Sequence, residues 1–341
     1  MKRREFLGRA AAAGAGLAWT GAKAQDAGGS RPGGSRPLPA GRTELADGWR
    51  FSRSDPAGAS APGFDDRAWE PAVLPHTARI EAAVTGPPGS ESYQWQGTCW
   101  YRRELSLPGG DARRVVYLKF DGAMNVADVW LDGRHLGRHR GGYLPFGFDL
   151  TPWLRPGRAS VLSVRLDNRD DPVTGPKPLA QLDFNLWHGL YRGVHLLVKN
   201  PLHITDPILA DQPAGGGVFV RTEHAGAASA TLRLRVHVRN GDVVPRRFRV
   251  RHTLLAPDGA VAAEQLSGAH ELGATGDVHV ESLLEVMQPA LWSPRAPYLH
   301  ELRTDLLDGD RVIDTETTRV GIRRLEISAA GFRIKIGRAH V

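Results

Sequence analysis

A single cysteine, Cys99, stands in the 341 residues, so no intramolecular disulfide can staple the fold and the core must hold by packing. The chain also lacks any internal apolar run near the roughly 20 residues that span a bilayer. Thirteen histidines are present, yet none falls in an H-E-x-x-H or paired Cys/His spacing, which argues against a zinc site. No G-x-S-x-G elbow offers a nucleophilic serine, and no glycine loop of the P-loop type offers a phosphate cradle. Helical periodicity is nearly missing as well.

Charge is scarce where nucleic-acid binding would need it. The formal net charge is +7, but residues 1–23 carry +4 and the last seven carry +2. Only +1 is left for everything between, whereas phosphate recognition relies on a clustered basic surface. The expectation is no nucleic-acid partner.

What is there begins with a leader. Lys2-Arg3-Arg4-Glu5-Phe6-Leu7 precedes an Ala/Gly-rich apolar run and then Ala22-Lys23-Ala24. Paired arginines, Phe-Leu and an A-x-A site together read as a twin-arginine-type signal peptide over 1–24, with an ordinary Sec signal or a lipid-free membrane anchor as the alternatives. Either sends the chain out of the cytoplasm, so the expected location is periplasmic or extracellular. Residues 25–41 hold Gly-Gly-Ser-Arg-Pro twice, a composition that cannot bury apolar surface and reads as a flexible linker.

Beyond the linker, short alternating runs are punctuated by Gly, Pro and Asp, which predicts antiparallel strands and an all-β class. Val115–Phe120, Ala127–Leu131 and Val161–Leu166 read as strands, the second running into Asp132-Gly133, a tight-hairpin signal. After Pro201, Leu232, Leu234, Val236 and Val238 alternate with Arg233, Arg235, His237 and Arg239 up to Asn240-Gly241. One face of that strand is core and the other is wet. Pro257-Asp258-Gly259 and Asp308-Gly309 add turns at a spacing that suits an immunoglobulin-like sandwich. The expected domains are 42–200 and 201–323, each a β-sandwich.

Several segments resemble family 2 glycoside hydrolases, and in the family's order. Asp47-Gly48-Trp49-Arg50-Phe51, then Trp69 with Val73-Leu74-Pro75-His76-Thr77, then Gly97-Thr98-Cys99-Trp100-Tyr101-Arg102-Arg103 look like its opening elements. Phe120-Asp121-Gly122-Ala123, Val129-Trp130-Leu131-Asp132-Gly133, His139-Arg140-Gly141-Gly142-Tyr143 and Phe148-Asp149-Leu150-Thr151 follow at family spacing. Asp183 to Val194 is similar to the family's D-F-x-x-x-G-G-L-Y-R-x-V. Leu291-Trp292-Ser293-Pro294 and Gly321-Ile322-Arg323 look like the end of its sandwich domain. The likeness runs over roughly 45 to 334. It implies a jelly-roll, galactose-binding-like sandwich, then an immunoglobulin-like sandwich, then a (β/α)8 barrel of which this chain holds only the lead-in at 324–334.

The resemblance implies a retaining β-glycosidase, best read as a β-galactosidase, with β-glucuronidase or β-mannosidase as alternatives. In that family two Glu carboxylates, about 5 Å apart, act as acid/base and nucleophile. Both belong to the barrel, so no catalytic residue is assigned here and the chain alone is expected to be inactive. A loop of the first sandwich reaches the terminal sugar, which makes Asp183 and Asn185 the candidate substrate-binding residues. A carboxylate accepts from two adjacent sugar hydroxyls, and an amide both donates and accepts. The alternative is that Asp183 caps a turn and Asn185 satisfies loop backbone. Gln94 and Trp95 are candidates for the same rim. His188 stands where the family has Gly and either touches substrate or fills space. Arg192 is expected to pair with a neighbouring carboxylate. Trp49, Trp69, Trp130, Trp153 and Trp292 are expected in the sandwich cores.

The resemblance makes carbohydrate the partner and leaves room for homo-oligomerisation in the full-length parent. The sequence identifies no cofactor, and a Mg or Na ion is left open for the parent. Residues 335–341 back-translate as AAG ATC GGA AGA GCA CAC GTC, which after the first base looks like a common sequencing adapter. The expectation is that these residues are an assembly artefact. Sequencing the source locus across codon 334 checks it, and an in-frame stop there contradicts it. The rival from another class is a stand-alone carbohydrate-binding module, which has no reason to carry the barrel lead-in.

Overall fold

A computed structural model describes residues 41–78, 95–107, 114–155, 157–171, 173–174, 188–213, 215–329, 331–334 and 337–338. All belong to one compact unit, residues 35–341. Among them there is no helix, and the all-β expectation holds.

The first sandwich packs two antiparallel sheets. One has strand order β1-β10-β5-β8, made from Gly41–Glu44, Val194–Lys199, Val115–Phe120 and Phe146–Asp149. The other has order β3-β2-β4-β9-β6-β7, made from Glu70–Ala72, Trp49–Ser52, Thr98–Ser106, Ala159–Asp167, Val126–Leu131 and Arg134–Arg140. The first and last strands of this unit, β1 and β10, lie side by side. Leu45, Tyr101, Leu118, Phe120, Val164 and Leu196 are each fully buried in one continuous core. Each side chain so buried contributes about 1.5–3 kcal/mol by leaving water.

The β6–β7 hairpin forms where expected. Asp132 and Gly133 take φ of 49° and 79°, the positive pair that a type I′ turn demands. The Asp132 carboxylate also accepts the Val161 amide at 2.7 Å, so the turn residue ties the hairpin to β9.

The second sandwich is built around two central strands. β13 (Ser229–Asn240) is flanked by β17 (Asp277–Met287) on one edge and by β12 (Val218–Ala225) and β11 (Leu202–Ile204) on the other. β14 (Arg246–Leu255) is flanked by β15 (Val261–Leu266), β16 (His270–Leu272) and β18 (His300–Asp308), and β18 pairs with β19 (Arg311–Val320). Leu232, Leu234, Val236 and Val238 are wholly buried, as their alternation predicts, but the other face is not wholly wet, since His237 is buried as well and stacks on His279 at 4.6 Å. Asn240-Gly241 does not make a hairpin, because β13 and β14 belong to different sheets. Asn240 is buried, and its amide donates to the carbonyls of Val244 and Gly273, each at 2.9 Å. Its side chain thereby holds the chain as it crosses between sheets. Beyond these strands, β20 (Leu325–Ser328), β21 (Gly331–Ile334) and β22 (Gly337–Arg338) pair antiparallel.

The tryptophans correct the sequence expectation. Trp49 is in the core, at 1% exposure. Trp130 instead stacks on Trp100 at 5.2 Å, Trp69 packs on Phe64, and Trp292 lies under Arg323. Trp153 is 42% exposed, with the Arg134 guanidinium 4.0 Å above its ring. These four rings, one on a strand and three in the connections, are each covered by a neighbouring ring or an arginine.

Charged side chains join the two sandwiches. Lys199, at the end of β10, is 8% exposed and donates to the Ile204 carbonyl at 3.0 Å, to Asp314 at 3.1 Å and to Glu316. Burial alone would depress its ammonium, but Asp314 and Glu316 outweigh that and raise its pKa. Lys119 on β5 adds a second bond to Asp206 at 2.7 Å.

Candidate functional site

Four stems leave the first sandwich together, and they are tied in pairs. The first pair joins residues 95–97, before β4, to 168–170, after β9. Asn168 is buried and does most of the joining. Its Oδ1 accepts the Gly97 amide at 2.6 Å, and its Nδ2 donates to the Trp95 carbonyl at 2.8 Å. The Gln96 side-chain oxygen accepts the Asp170 amide at 3.2 Å. A Cβ on Gly97 would meet the Trp95 ring at 2.8 Å, so glycine is what lets the indole fold back over its own stem. Trp95 is half-buried against the core.

The second pair joins 76–78 to 188–190. The His76 amide donates to the Leu190 carbonyl at 2.9 Å, and the Ala78 amide to the His188 carbonyl at 3.1 Å. Beneath them Tyr101 is fully buried, its hydroxyl 2.8 Å from His76 Nδ1, and burial pushes the phenol well above its usual pKa. Gly189 passes directly over that hydroxyl with φ +85°, and a Cβ there would lie 2.3 Å from it. The Met124 amide donates to the Gly189 carbonyl at 3.1 Å, which fastens this stem to the loop after β5.

His188 is 3% exposed. Burial lowers its pKa to about 4, so the imidazole is neutral at pH 7, and among the described residues its buried Nδ1 has no hydrogen-bond partner. Arg192 differs from expectation. Among the described residues it meets no carboxylate, and it donates to the main-chain carbonyls of Tyr143 at 3.0 Å and Asp121 at 3.4 Å. Its guanidinium lies over the Tyr191 ring, 5.2 Å from the centroid, and Tyr191 donates to the Gly142 carbonyl at 2.7 Å. Arginine can reach two carbonyls at once from that stacked position, so it clasps two loops as a donor fork. Asp183, Asn185 and Gln94 lie outside the described residues.

Sequence reasoning missed two features. Asp121 accepts from His195 Nε2 at 2.8 Å and faces Arg42 at 3.5 Å, joining β1, β10 and the loop after β5. Lys199 and its two carboxylates form the other. Partners in both clusters come from strands far apart in sequence, so no local spacing marks them. Among the described residues no group of three or more His, Cys, Asp or Glu is placed to hold a metal ion, and no helix is long and apolar enough to cross a membrane. What the described arrangement does chemically is hold stems in register.

Known proteins share this arrangement. The profile of glycosyl hydrolases family 2, sugar binding domain, matches residues 75–201, and that of glycosyl hydrolases family 2 matches 216–323. A β-glucuronidase of Formosa agariphila is 31% identical over 296 residues, spanning 84% of this chain and 30% of that protein. A β-galactosidase of Bacteroides ovatus is 31% identical over 294 residues, spanning 84% of this chain and 32% of that protein. Among solved structures, a family 2 β-glucuronidase superposes with a TM-score of 0.75 at 28% identity, covering 88% of this chain and 32% of the other. A Bacteroides uniformis β-glucuronidase gives 0.74 at 26%, covering 86% and 34%. The chain thus spans about a third of the length of the curated relatives it matches.

Proposed function

The chain belongs to glycosyl hydrolase family 2, and on that premise we propose that it supplies the sugar-facing, non-catalytic front of an exported retaining β-glycosidase that removes terminal β-linked sugars. The supporting observation is the paired stems. Residues 95–97 and 168–170, and residues 76–78 and 188–190, are bonded together at one end of the first sandwich. Asp183 and Asn185 lie on the segment that leads into His188, and Gln94 directly precedes Trp95. On this reading Asp183 and Asn185 bind adjacent hydroxyls of the terminal sugar, with Gln94 and Trp95 at the rim. The Glu pair that breaks the glycosidic bond, one as acid/base and one as nucleophile, lies in the part of the relatives that this chain does not span. The immunoglobulin-like sandwich is the support between the two.

β-Galactosidase is the preferred activity, in line with the Bacteroides ovatus relative. A β-glucuronidase is the second reading, favoured by the Formosa agariphila relative at the same identity. The purified 341-residue chain is expected to leave nitrophenyl β-galactoside and nitrophenyl β-glucuronide intact, whereas the full-length parent cleaves one of them. Turnover that co-purifies with the 341-residue chain overturns the division of labour. Cleavage of the glucuronide alone by the parent replaces the first reading with the second.

A further inference from the structure

The interior of the second sandwich is crossed by a layer of polar side chains. On β14 and β18 the inward-facing residues pair in successive rungs, Val250 with Leu306, His252 with Thr304 and Leu254 with Leu302. The first of these rungs belongs to one apolar cluster and the last to another, so His252 and Thr304 stand at the boundary between them. The opposing sheet repeats the pattern. On β17, Val280 belongs to the first cluster and Leu284 to the second, and Ser282 lies between them on the same inward face. The two sheets therefore set His252, Thr304 and Ser282 at one level of the core.

His252 and Thr304 are fully buried, and Ser282 is 9% exposed. His252 Nδ1 meets Thr304 Oγ1 at 3.0 Å. Its Nε2 and the Ser282 Oγ are also buried, and neither has a hydrogen-bond partner among the described residues, a costly condition for polar atoms out of reach of solvent. Serine is the shortest side chain in its inward row of Val280, Ser282, Leu284 and Val286, so it fills less of the space between the sheets than its neighbours do. Burial keeps the imidazole neutral, so one ring nitrogen donates and the other accepts. Water can answer either tautomer and either orientation of the serine hydroxyl, and an internal water takes two to four such partners. We propose that this layer is a binding site for one ordered internal water, held between His252 Nε2 and Ser282 Oγ, which ties the two sheets together where their apolar contacts are interrupted. An apolar occupant would leave both polar atoms unpaired. An ion is disfavoured, because burial alone, with no charged neighbour, sets the titration of His252.

The test is a crystal structure of the 341-residue chain at a resolution that shows ordered water. One density peak is expected within about 2.5–3.2 Å of both His252 Nε2 and Ser282 Oγ. No peak there overturns the proposal, as does a serine rotamer that meets the imidazole directly. Ser282→Val removes one partner and takes up the water's space, so the peak should vanish in that variant. The nitrogen NMR resonance of His252 Nε2 should shift with it at neutral pH, while that of His188, in the first sandwich, stays in place. A folded variant that keeps the peak, or in which the His252 resonance does not move, overturns the proposal as well. If the variant does not fold, the wild-type density decides alone.

Discussion

The two sandwiches solve the same packing problem differently. The first has one continuous core that runs from Leu45 to Val198, and its polar groups are spent on fastening stems at one end. The second has two separate clusters, one around Val236, Phe248 and Leu306 and another around Leu232, Leu254 and Leu302. Wholly buried polar residues also lie on its strands, where His252 Nδ1 meets Thr304 Oγ1 at 3.0 Å. The first therefore ties its connecting segments together over a single core, whereas the second divides its interior in two.

The sharpest way to break this contrast is at the joint. Lys199→Met leaves Asp314, itself 14% exposed, without its main cation. Breaking a buried ion pair from one side costs about 3–5 kcal/mol. Calorimetry should show one transition for the wild type and two for the variant, one per sandwich, whereas a single transition at an unchanged temperature in the variant would mean that the joint contributes little. The raised pKa of Lys199 carries its own sign. The stabilisation is complete below the lysine's unfolded pKa and is lost as pH rises through the folded one, so the wild-type joint weakens only in strong alkali.

Glycine substitutions sharpen the comparison further. Gly189→Ala places a Cβ 2.3 Å from the Tyr101 hydroxyl at φ +85°, so overpacking and backbone strain together should cost about 2–4 kcal/mol. Gly309→Ala, in the β18–β19 turn at φ +62°, meets nothing within 4 Å and should cost about 1 kcal/mol, the left-handed strain alone. Urea denaturation of the two variants checks the ratio, and equal losses would remove the case for a tighter first sandwich.

Acid should act on both sandwiches and on the joint. Burial lowers His188, His203 and His252 to about 4, against roughly 6.5 when unfolded. The folded chain therefore refuses protons that the unfolded chain accepts. Stability is intact above about pH 6.5 and falls as pH drops toward 4, by about 3 kcal/mol per histidine at most. His252→Leu should remove about a third of that pH dependence, read as melting temperature against pH. An unaltered slope would mean that His252 is not buried neutral.

The sequence shows most clearly what is local. Asp132-Gly133 announces its hairpin because both residues must take positive φ, and the alternation from Leu232 to Val238 announces a half-wet strand because side chains point to opposite faces in turn. The family likeness carries the sandwich architecture. Hidden features are those that depend on which residues meet across the fold. Lys199 finds Asp314 and Glu316 more than a hundred residues away, and Arg192 finds two carbonyls rather than a carboxylate because it stacks on Tyr191. Asn240 reads as a turn residue and proves to be an internal bracket, because its amide satisfies carbonyls from two other segments. His188, a departure from the family's glycine, is buried in its stem. That placement comes from its carbonyl, which accepts the Ala78 amide, and its amide, which donates to the Thr77 hydroxyl, and no periodicity encodes either.

The proposed sugar-facing role of Asp183 is tested most directly by kcat/KM of the full-length parent enzyme on a nitrophenyl β-galactoside, wild type against Asp183→Ala. Loss of hydrogen bonds from a charged acceptor to the sugar should lower kcat/KM by roughly 10- to 150-fold, the equivalent of about 1.5–3 kcal/mol, with the melting temperature unchanged. An unchanged kcat/KM in a folded variant would contradict the claim that this chain carries the sugar-facing rim.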